Sequence, residues 1–300
     1  MSNEKEPSAC PAFKTMCGGQ ALIEGIMMRG PEKQAIVVRK PDGSLEVKEE
    51  PLKLVKDRHP ILGVPFIRGA VNFIDANVKG VKALMYSAEF YPEEDEPEEP
   101  SKFDVFLEKH FGNEKAASVV VALAVAMGLA FSIGLFFILP TLLTSLISPF
   151  VSNNLLRNLI EGGIRILIFL TYLILCSRLK DIRRVFAYHG AEHKTIFCYE
   201  RGLPLTVENV RKMPKHHPRC GTSFLFVIMI VSILVYALVG FSWENPALRL
   251  VVRLLLLPVI VGITYEINRF VGRHDNLLTK IITAPGLWLQ NWTTNEPDDS

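Results

Sequence analysis

Four long apolar segments constrain this chain more than any other feature of its sequence. They cover residues 116–140, 159–176, 223–241 and 247–267, and the first has no charged residue over 25 positions. A helix of about 20 apolar residues crosses the hydrocarbon of a bilayer, which is about 30 Å thick. The hydrocarbon contains no water to hydrogen-bond the backbone, so a chain spans it only as helices or as a closed barrel. The segments therefore predict a membrane α-helical bundle of about four transmembrane helices, within residues 102–268.

Two charges lie inside the second apolar segment. Glu161 and Arg165 are one helical turn apart, and we expect them to pair or to face the bundle interior, because charges are costly in lipid. Residues 142–151 are also apolar, but Pro149 interrupts them. The sequence therefore predicts an outer loop or a re-entrant turn after the first span.

Lysine and arginine are distributed unevenly among the connections between the spans. Residues 177–222 contain ten of them, 141–158 contain one, and 242–246 contain none. By the positive-inside rule, the central segment 177–222 is a cytoplasmic loop. Four spans then place the N- and C-termini on the same side, and residues 1–11 lack the apolar core of a signal peptide. We expect a multi-pass protein of the inner (cytoplasmic) membrane, with the lipid bilayer as a partner.

The parts outside the spans differ in composition. Residues 1–15 are predicted to be disordered, and 16–91 to form a small cytoplasmic α+β domain. Residues 92–101 are an acidic, proline-rich linker, because six acids and three prolines at 92–100 cannot form a core. The tail 269–300 is predicted to lie at the cytoplasmic bilayer surface, with its tryptophans at headgroup level.

Three patterns within 16–91 predict its elements. The stretch 17–31 is rich in glycine and indicates loop and strand. Either the glycines serve only the turns of the chain, or they let the backbone pass close to a ligand or to the membrane. Glu24 and Arg29 would then be its polar contacts. Residues 34–50 predict a hairpin turning at Pro41-Asp42-Gly43. Residues 66–90 predict an amphipathic helix, whose apolar side we expect to pack into this domain rather than to lie on the bilayer. That side carries Ile67, Ala70, Val71, Ile74, Val78, Val81, Leu84 and Met85.

Charge and cysteine content exclude two classes of protein. The net charge of +2 is small and no lysine/arginine block is interleaved with aromatic residues, so no nucleic-acid partner is expected. The five cysteines are scattered without a CxxC pair, which is typical of a reducing compartment rather than of a disulfide framework.

The central segment contains a metal-binding pattern. His189 and His193 are four residues apart, so on a helix they share one face and can bind one divalent metal, with zinc favoured. Glu192 between them can act as a general base on water, as in the H-x-x-E-H motif of inverted zinc proteases. A further ligand is required. The predicted topology brings His217, Cys220 and Glu266 to the same membrane depth, with Glu266 or His217 completing the set.

Simpler roles remain open for each of these residues. The histidines could hydrogen-bond at the interface, Glu266 could pair with a nearby arginine, and Cys220 taken alone is more simply a small buried hydrophobic residue. If the site is catalytic, Arg219, Lys194 or Arg29 could hold an anionic substrate or stabilise developing negative charge.

Four strings resemble those of a known family. They are CGGQALIEGIMMRGP (17–31), HGAEHKTIFCYE (189–200), HPRCGTSF (217–224) and LQNWTTNEPDD (289–299). In this order they resemble the YqhQ-like bacterial membrane proteins, over nearly the whole chain. That family is described as predicted metal-dependent enzymes, without an established substrate. The resemblance implies a multi-pass membrane protein with a metal site, and points to His189, Glu192, His193, His217 and Cys220.

The first hypothesis is a zinc-type hydrolase at the cytoplasmic membrane face, acting on a peptide or lipid substrate, with Glu192 and Arg219 as catalytic residues. The second is a non-enzymatic membrane scaffold or assembly factor, in which the polar or metal cluster only joins the loop to the helices. A transporter is less favoured, because the spans contain few polar groups and show no internal repeat. The sequence leaves the substrate and the oligomeric state open, a homo-oligomer included.

Overall fold

The computed structural model describes residues 13, 15, 17–52, 59–91, 113–239 and 245–299. The predicted disordered segment 1–15, apart from residues 13 and 15, and the acidic linker 92–101 lie outside the described residues. The described chain is mostly helical, with one small antiparallel sheet. It divides into two units that do not follow chain order. One unit combines the described residues up to Tyr91 with Thr171–Val235 and the residues from Leu255 onward. The other combines residues 113–170 with Tyr236–Leu254.

The sheet is an antiparallel meander of four strands in chain order. The strands are β1 (Gly18–Leu22), β2 (Gly25–Arg29), β3 (Lys33–Arg39) and β4 (Leu45–Pro51). The predicted hairpin is confirmed, with Val37 opposite Val47. Its turn follows from local chemistry, since the Asp42 side chain accepts from the Ser44 amide and Gly43 has a φ of 83°. Alternating side chains of β2 and β3, with Leu22 of β1, form the core on one face of the sheet.

Helix α1 (Ile67–Ala88) confirms the predicted helix, but the side that it buries is not the predicted one. Its buried residues are small: Gly69, Gly80, Ala83 and Ser87. The expectation that the large apolar residues pack into the domain is wrong for six of them. These are exposed: Ile67, Ile74, Val78, Val81, Leu84 and Met85. Small residues let the helix backbone approach the sheet closely. Amphipathic periodicity alone does not say which side of the helix faces the protein.

Four helices are long and apolar enough to cross a membrane: Val119–Ile147, Asn154–Cys176, Gly221–Val239 and Ala247–Arg273. The first consists of α2 (Asn113–Ile133), one π-helical turn (Gly134–Ile138) and α3 (Leu139–Ile147). Of the outer loop or re-entrant turn predicted at 142–151, the loop is wrong over residues 142–147, which are helical. The π-helical turn precedes Pro140, which lies in the first turn of α3, and a short 3-10 turn around Pro149 ends the helix. The other three are α4 (Asn154–Cys176), α7 (Gly221–Val239) and α8 (Pro246–Arg273), with two further helices between α4 and α7 in the chain.

The charges predicted within the second span are paired and buried. Arg165 Nη2 lies 3.3 Å from Glu161 Oε1, and the two side chains are 6% and 1% exposed. A second arginine, Arg253 of α8, binds both oxygens of the same carboxylate. Thr141 donates to Glu161, and Asn158 accepts from Arg253. Hydrogen bonds thus offset part of the cost of burying these charges.

The central segment is helical rather than a loop. After a short break at residues 177–179, α5 (Lys180–Glu200) and α6 (Val207–Arg211) follow, and the tail forms α9 (Leu277–Thr293) behind a capping box of Asn276 and Thr279. Helix α5 packs against β1 and β2. Glu24, in the turn between these strands, accepts from Arg184 Nε at 2.6 Å and Nη2 at 2.8 Å, and from the Tyr188 hydroxyl at 3.0 Å. The sheet is therefore held in one position on α5.

Candidate metal centre

The two histidines of the H-x-x-E-H pattern lie side by side on α5. Their ring centroids are 4.4 Å apart, as expected for positions i and i+4 of a helix. His189 is half-buried, and His193 is 1% exposed. The metal-binding prediction required residues 189–193 to be helical, and they are. Their helix, α5, is separate from the preceding span.

Hydrogen bonds decide which nitrogen of each ring carries the proton. His189 Nδ1 lies 2.7 Å from the Thr293 carbonyl oxygen, and His193 Nδ1 lies 2.6 Å from the Lys215 carbonyl oxygen. A carbonyl only accepts, so each Nδ1 donates a proton, and the lone pair of each neutral ring is then on Nε2. His193 Nε2 is buried and has no hydrogen-bond partner in the described chain. Metal-binding histidines are commonly oriented by such Nδ1–carbonyl contacts.

Cys220 completes the group. It directly precedes α7, and its Sγ lies 3.1 Å from His189 Nε2. One ligand atom from each of His189, His193 and Cys220 lies within 4.8 Å of the other two. Tetrahedral zinc, with Zn–N near 2.0 Å and Zn–S near 2.3 Å, separates such ligands by about 3.3–3.6 Å. The two imidazoles and the thiol therefore fit three positions around a zinc-type ion after small side-chain adjustments.

Glu192 lies next to this group and is nearly enclosed. It is 5% exposed, and burial raises the pKa of its carboxyl group to about 7. The Gly19 amide hydrogen-bonds to the carboxylate, whereas Oε2 has no partner in the described residues. A Cβ at Gly19 would lie 2.8 Å from Glu192 Cδ, so only glycine lets β1 pass this close. The glycine-rich stretch thus passes close to the site, as one of the two interpretations of 17–31 predicted.

The C-terminal tail supplies contacts that the sequence reasoning missed. Besides the Thr293 carbonyl, Gln290 accepts from the His217 amide at 2.7 Å and donates to the His217 carbonyl and to Ser223 Oγ at 2.8 Å. The Asn295 amide bonds to the Phe186 carbonyl at 2.8 Å. Gln290 is fully buried. The string LQNWTTNEPDD was the available signal, but Trp288 and Trp292 directed the interpretation towards the bilayer surface.

His217 and Arg219 lie close to the group without joining it. His217 Nε2 is 3.3 Å from Arg219 Nη2, and its Nδ1 is 3.3 Å from the Arg219 amide. Burial, followed by the charge of Arg219, lowers the pKa of His217 to about 3, so the ring stays neutral. The Arg219 guanidinium binds Glu200 Oε1 at 2.5 Å and the Thr15 carbonyl. The catalytic role predicted for Arg219 stays a prediction, while His217 is outside the three converging ligands.

Glu266 is not brought to the metal group. Its carboxylate accepts from Arg68 Nε at 2.8 Å and from Nη2 at 2.6 Å. Its expected role as the completing ligand is replaced by this pairing, because Arg68 reaches it from α1, a contact that depends on tertiary packing. Lys194 is likewise engaged, since its ammonium group binds Glu296 and the Arg211 carbonyl. Arg29 lies opposite Gly18 in the β1–β2 ladder.

The fold and this group together define a helical protein with four apolar helices and a buried His₂Cys group beside a carboxylate. A family model described as "Protein of unknown function (DUF1385)" matches residues 64–300, which include both histidines, Glu192 and Cys220. The "Uncharacterized protein YqhQ" of Bacillus subtilis (strain 168) is 37% identical over 306 residues, covering 100% of this chain and 90% of that protein. No solved structure matches the chain. The chain belongs to the YqhQ-like DUF1385 family, which confirms the resemblance drawn from its motifs.

Proposed function

We propose that this protein is a metal-dependent hydrolase of the cytoplasmic membrane, with its site at the cytoplasmic face. One observation carries the proposal: two imidazole lone pairs and a thiol converge within 4.8 Å, beside a buried carboxylate that keeps one oxygen unpartnered in the described chain. Three protein ligands with a free fourth position are typical of catalytic zinc sites, whereas structural sites have four.

Each residue of the group has a separate task in this proposal. His189, His193 and Cys220 would hold a divalent metal, most simply zinc, and the carbonyls of Thr293 and Lys215 keep the two rings oriented. When bound, zinc would polarise a carbonyl or phosphoryl group and make water a better nucleophile. Glu192 would take the proton from the attacking water and return it to the leaving group. A carboxyl pKa of about 7 suits both directions of this transfer near neutral pH.

The membrane placement rests on the four apolar helices and on the charge asymmetry. Ten lysine and arginine residues in 177–222 favour a cytoplasmic position for α5 and the start of α7. The substrate would then be a peptide segment or a lipid headgroup at that face, and both termini would be cytoplasmic.

Metal content tests the proposal directly. Wild-type protein purified in detergent is expected to contain about one equivalent of zinc, manganese or iron by mass spectrometry, as three protein ligands allow. A His189→Ala/His193→Ala variant should lose it. A His216→Ala/His274→Ala variant removes as many histidines outside the group and should keep it. Equal, low metal in the wild type and the first variant would refute the proposal.

A second candidate, a scaffold held together by a structural cluster, is favoured by a different observation. The centre joins β1, α5, the residues before α7 and the tail, which are distant in sequence. Glu192→Gln separates the two functions. It preserves shape and hydrogen bonding but removes the base, so an enzyme would keep its metal and lose its biological activity. A scaffold would keep both.

A further inference from the structure

Helix α1 turns its large apolar side chains away from the protein. Positions 67, 74, 78, 81 and 85 fall within about 60° of one another at 100° per residue, so they form one stripe. Their exposed fractions are 46%, 63%, 50%, 41% and 41%. Contiguous exposed apolar surface of this kind marks an interaction site in a folded protein.

The opposite side of α1 fixes this orientation. A Cβ at Gly69 would lie 2.7 Å from Tyr265 Cβ and 2.9 Å from Gly262 Cα, so the helix backbone already touches α8. Asn72 Nδ2 donates to the Tyr265 hydroxyl at 3.0 Å, and Arg68 pairs with Glu266. Rotating the stripe inward would place large side chains where a glycine barely fits. The outward stripe is therefore built into the packing.

The residue before α1 supports the same conclusion. Phe66 has a φ of 68°, which is unfavourable for an aromatic residue, and its ring is 55% exposed. Its carbonyl lies directly against Gly262. An aromatic ring thus lies at the surface, beside the start of the stripe.

A basic groove adjoins this end of the helix. It is lined by Arg68, Glu266, Arg269, Phe270, Arg273 and His274. Three guanidinium groups thus face one carboxylate, and Arg68 already neutralises that carboxylate. Among the described residues, no carboxylate forms an ion pair with Arg269 or Arg273. Both arginines lie in the last two turns of α8, where the candidate span Ala247–Arg273 ends.

We propose that the stripe of α1 and this groove form one binding surface for anionic phospholipid. The stripe would lie in the upper acyl region, and Arg269 and Arg273 would bind the headgroup phosphate. An anionic phospholipid matches both the apolar stripe and the basic groove, because it has acyl chains and a charged headgroup. The stripe begins beside cationic side chains at the end of α8, a helix long enough to span the bilayer. The proposal rests on the membrane placement given above, but not on the metal or on the hydrolase activity.

Depth-dependent quenching tests the stripe. Full-length protein carrying Cys10→Ser, Cys17→Ser and Cys176→Ser receives one labelled cysteine at Ile74, at Ser44 as an aqueous reference, or at Leu234 as a span reference. Protein without an added cysteine measures the background. In bilayers, brominated lipid should quench the label at 74 and 234 about threefold more than at 44, because only apolar positions enter the acyl region. Quenching at 234 but not at 74 would refute the lipid-binding surface and leave the membrane placement intact. Quenching at neither position would refute both.

Lipid retention tests the groove. Native mass spectrometry of protein released from mixed phosphatidylcholine/phosphatidylglycerol nanodiscs counts the lipids that remain bound. Phosphatidylglycerol should be enriched on the wild type, and Arg269→Gln/Arg273→Gln should reduce the enrichment at least about fivefold. Arg201→Gln/Lys212→Gln removes two charges elsewhere and should leave it unchanged. Equal enrichment in all three proteins, full displacement by inorganic phosphate, or a dimer that shields position 74 would each overturn the lipid assignment. Unchanged metal content in these variants separates this result from the hydrolase proposal.

Discussion

Replacing Gly19 by alanine tests how closely β1 covers the candidate site. The added Cβ would lie 2.8 Å from Glu192 Cδ, the Met27 carbonyl oxygen and Met28 Sδ. Two of these neighbours, the strand backbone and a buried carboxylate, cannot move without losing a contact. Overpacking of this kind costs about 1–3 kcal/mol. The neighbouring Gly18 has nothing within 4 Å of its added Cβ, and Gly18→Ala is therefore the matched control.

Thermal unfolding in detergent measures the difference. At about 2–4 °C per kcal/mol for a unit of this size, Gly19→Ala should lower the Tm by about 2–12 °C. Gly18→Ala should leave the Tm unchanged or raise it slightly, since alanine restricts the unfolded chain. Metal content should persist in both, because neither glycine contacts His189, His193 or Cys220. Equal Tm values for the two variants would refute the close passage of β1 over Glu192.

Three further predictions concern other contacts of the same unit. Glu266→Gln should leave metal content at the wild-type level, because Glu266 pairs with Arg68 rather than with the histidines; metal loss would restore it as a ligand. Gln290→Ala should lower the free energy of unfolding by about 2–4 kcal/mol, because it leaves the buried amide and carbonyl of His217 and the Ser223 hydroxyl without their partner. Gln290→Glu, of the same size, should recover only part of this in denaturant titrations, and an unchanged midpoint for alanine would contradict the tail contact. Hydrogen bonds from Arg184 lower the pKa of Glu24, so its stabilising effect is present above the ordinary carboxyl pKa and is lost as the pH falls through the lowered one. Glu24→Gln should therefore cost about 0.5–1 kcal/mol at pH 7 and nothing in strong acid, and a pH-independent difference would contradict this pairing.

The three candidate metal ligands were recognised unequally from sequence. His189 and His193 follow from their spacing, because four residues on a helix always bring two side chains to one face. Cys220 taken alone had a simple alternative role, because nothing local distinguishes a ligand from a buried thiol. Its Sγ is recognised only by its 3.1 Å distance from His189 Nε2. Glu266 satisfied the topological argument equally well, yet Arg68 binds it from α1.

The orientation of α1 shows the same limit. Periodicity predicts which residues share a side of a helix, but that side can face a protein core or a lipid surface. Gly69 and Gly80 lie where the backbone of α1 comes closest to the rest of the unit, and small residues leave no signal in a hydrophobic pattern. The contacts of the tail with the site were missed for a related reason, since Gln290 and Thr293 act through hydrogen bonds and a backbone carbonyl.

By itself, the sequence determined the apolar helices, the hairpin at 34–50 and the pairing of two histidines around Glu192. These features depend on local periodicity, turn chemistry and composition, which are short-range properties of a chain. The tertiary structure decided which of the candidate ligands joins the two histidines, which ring nitrogens bond to carbonyls, the enclosure of Glu192 by Gly19 and the outward side of α1. Each of these depends on segments far apart in sequence meeting at distances of a few ångströms, and no local pattern encodes such distances.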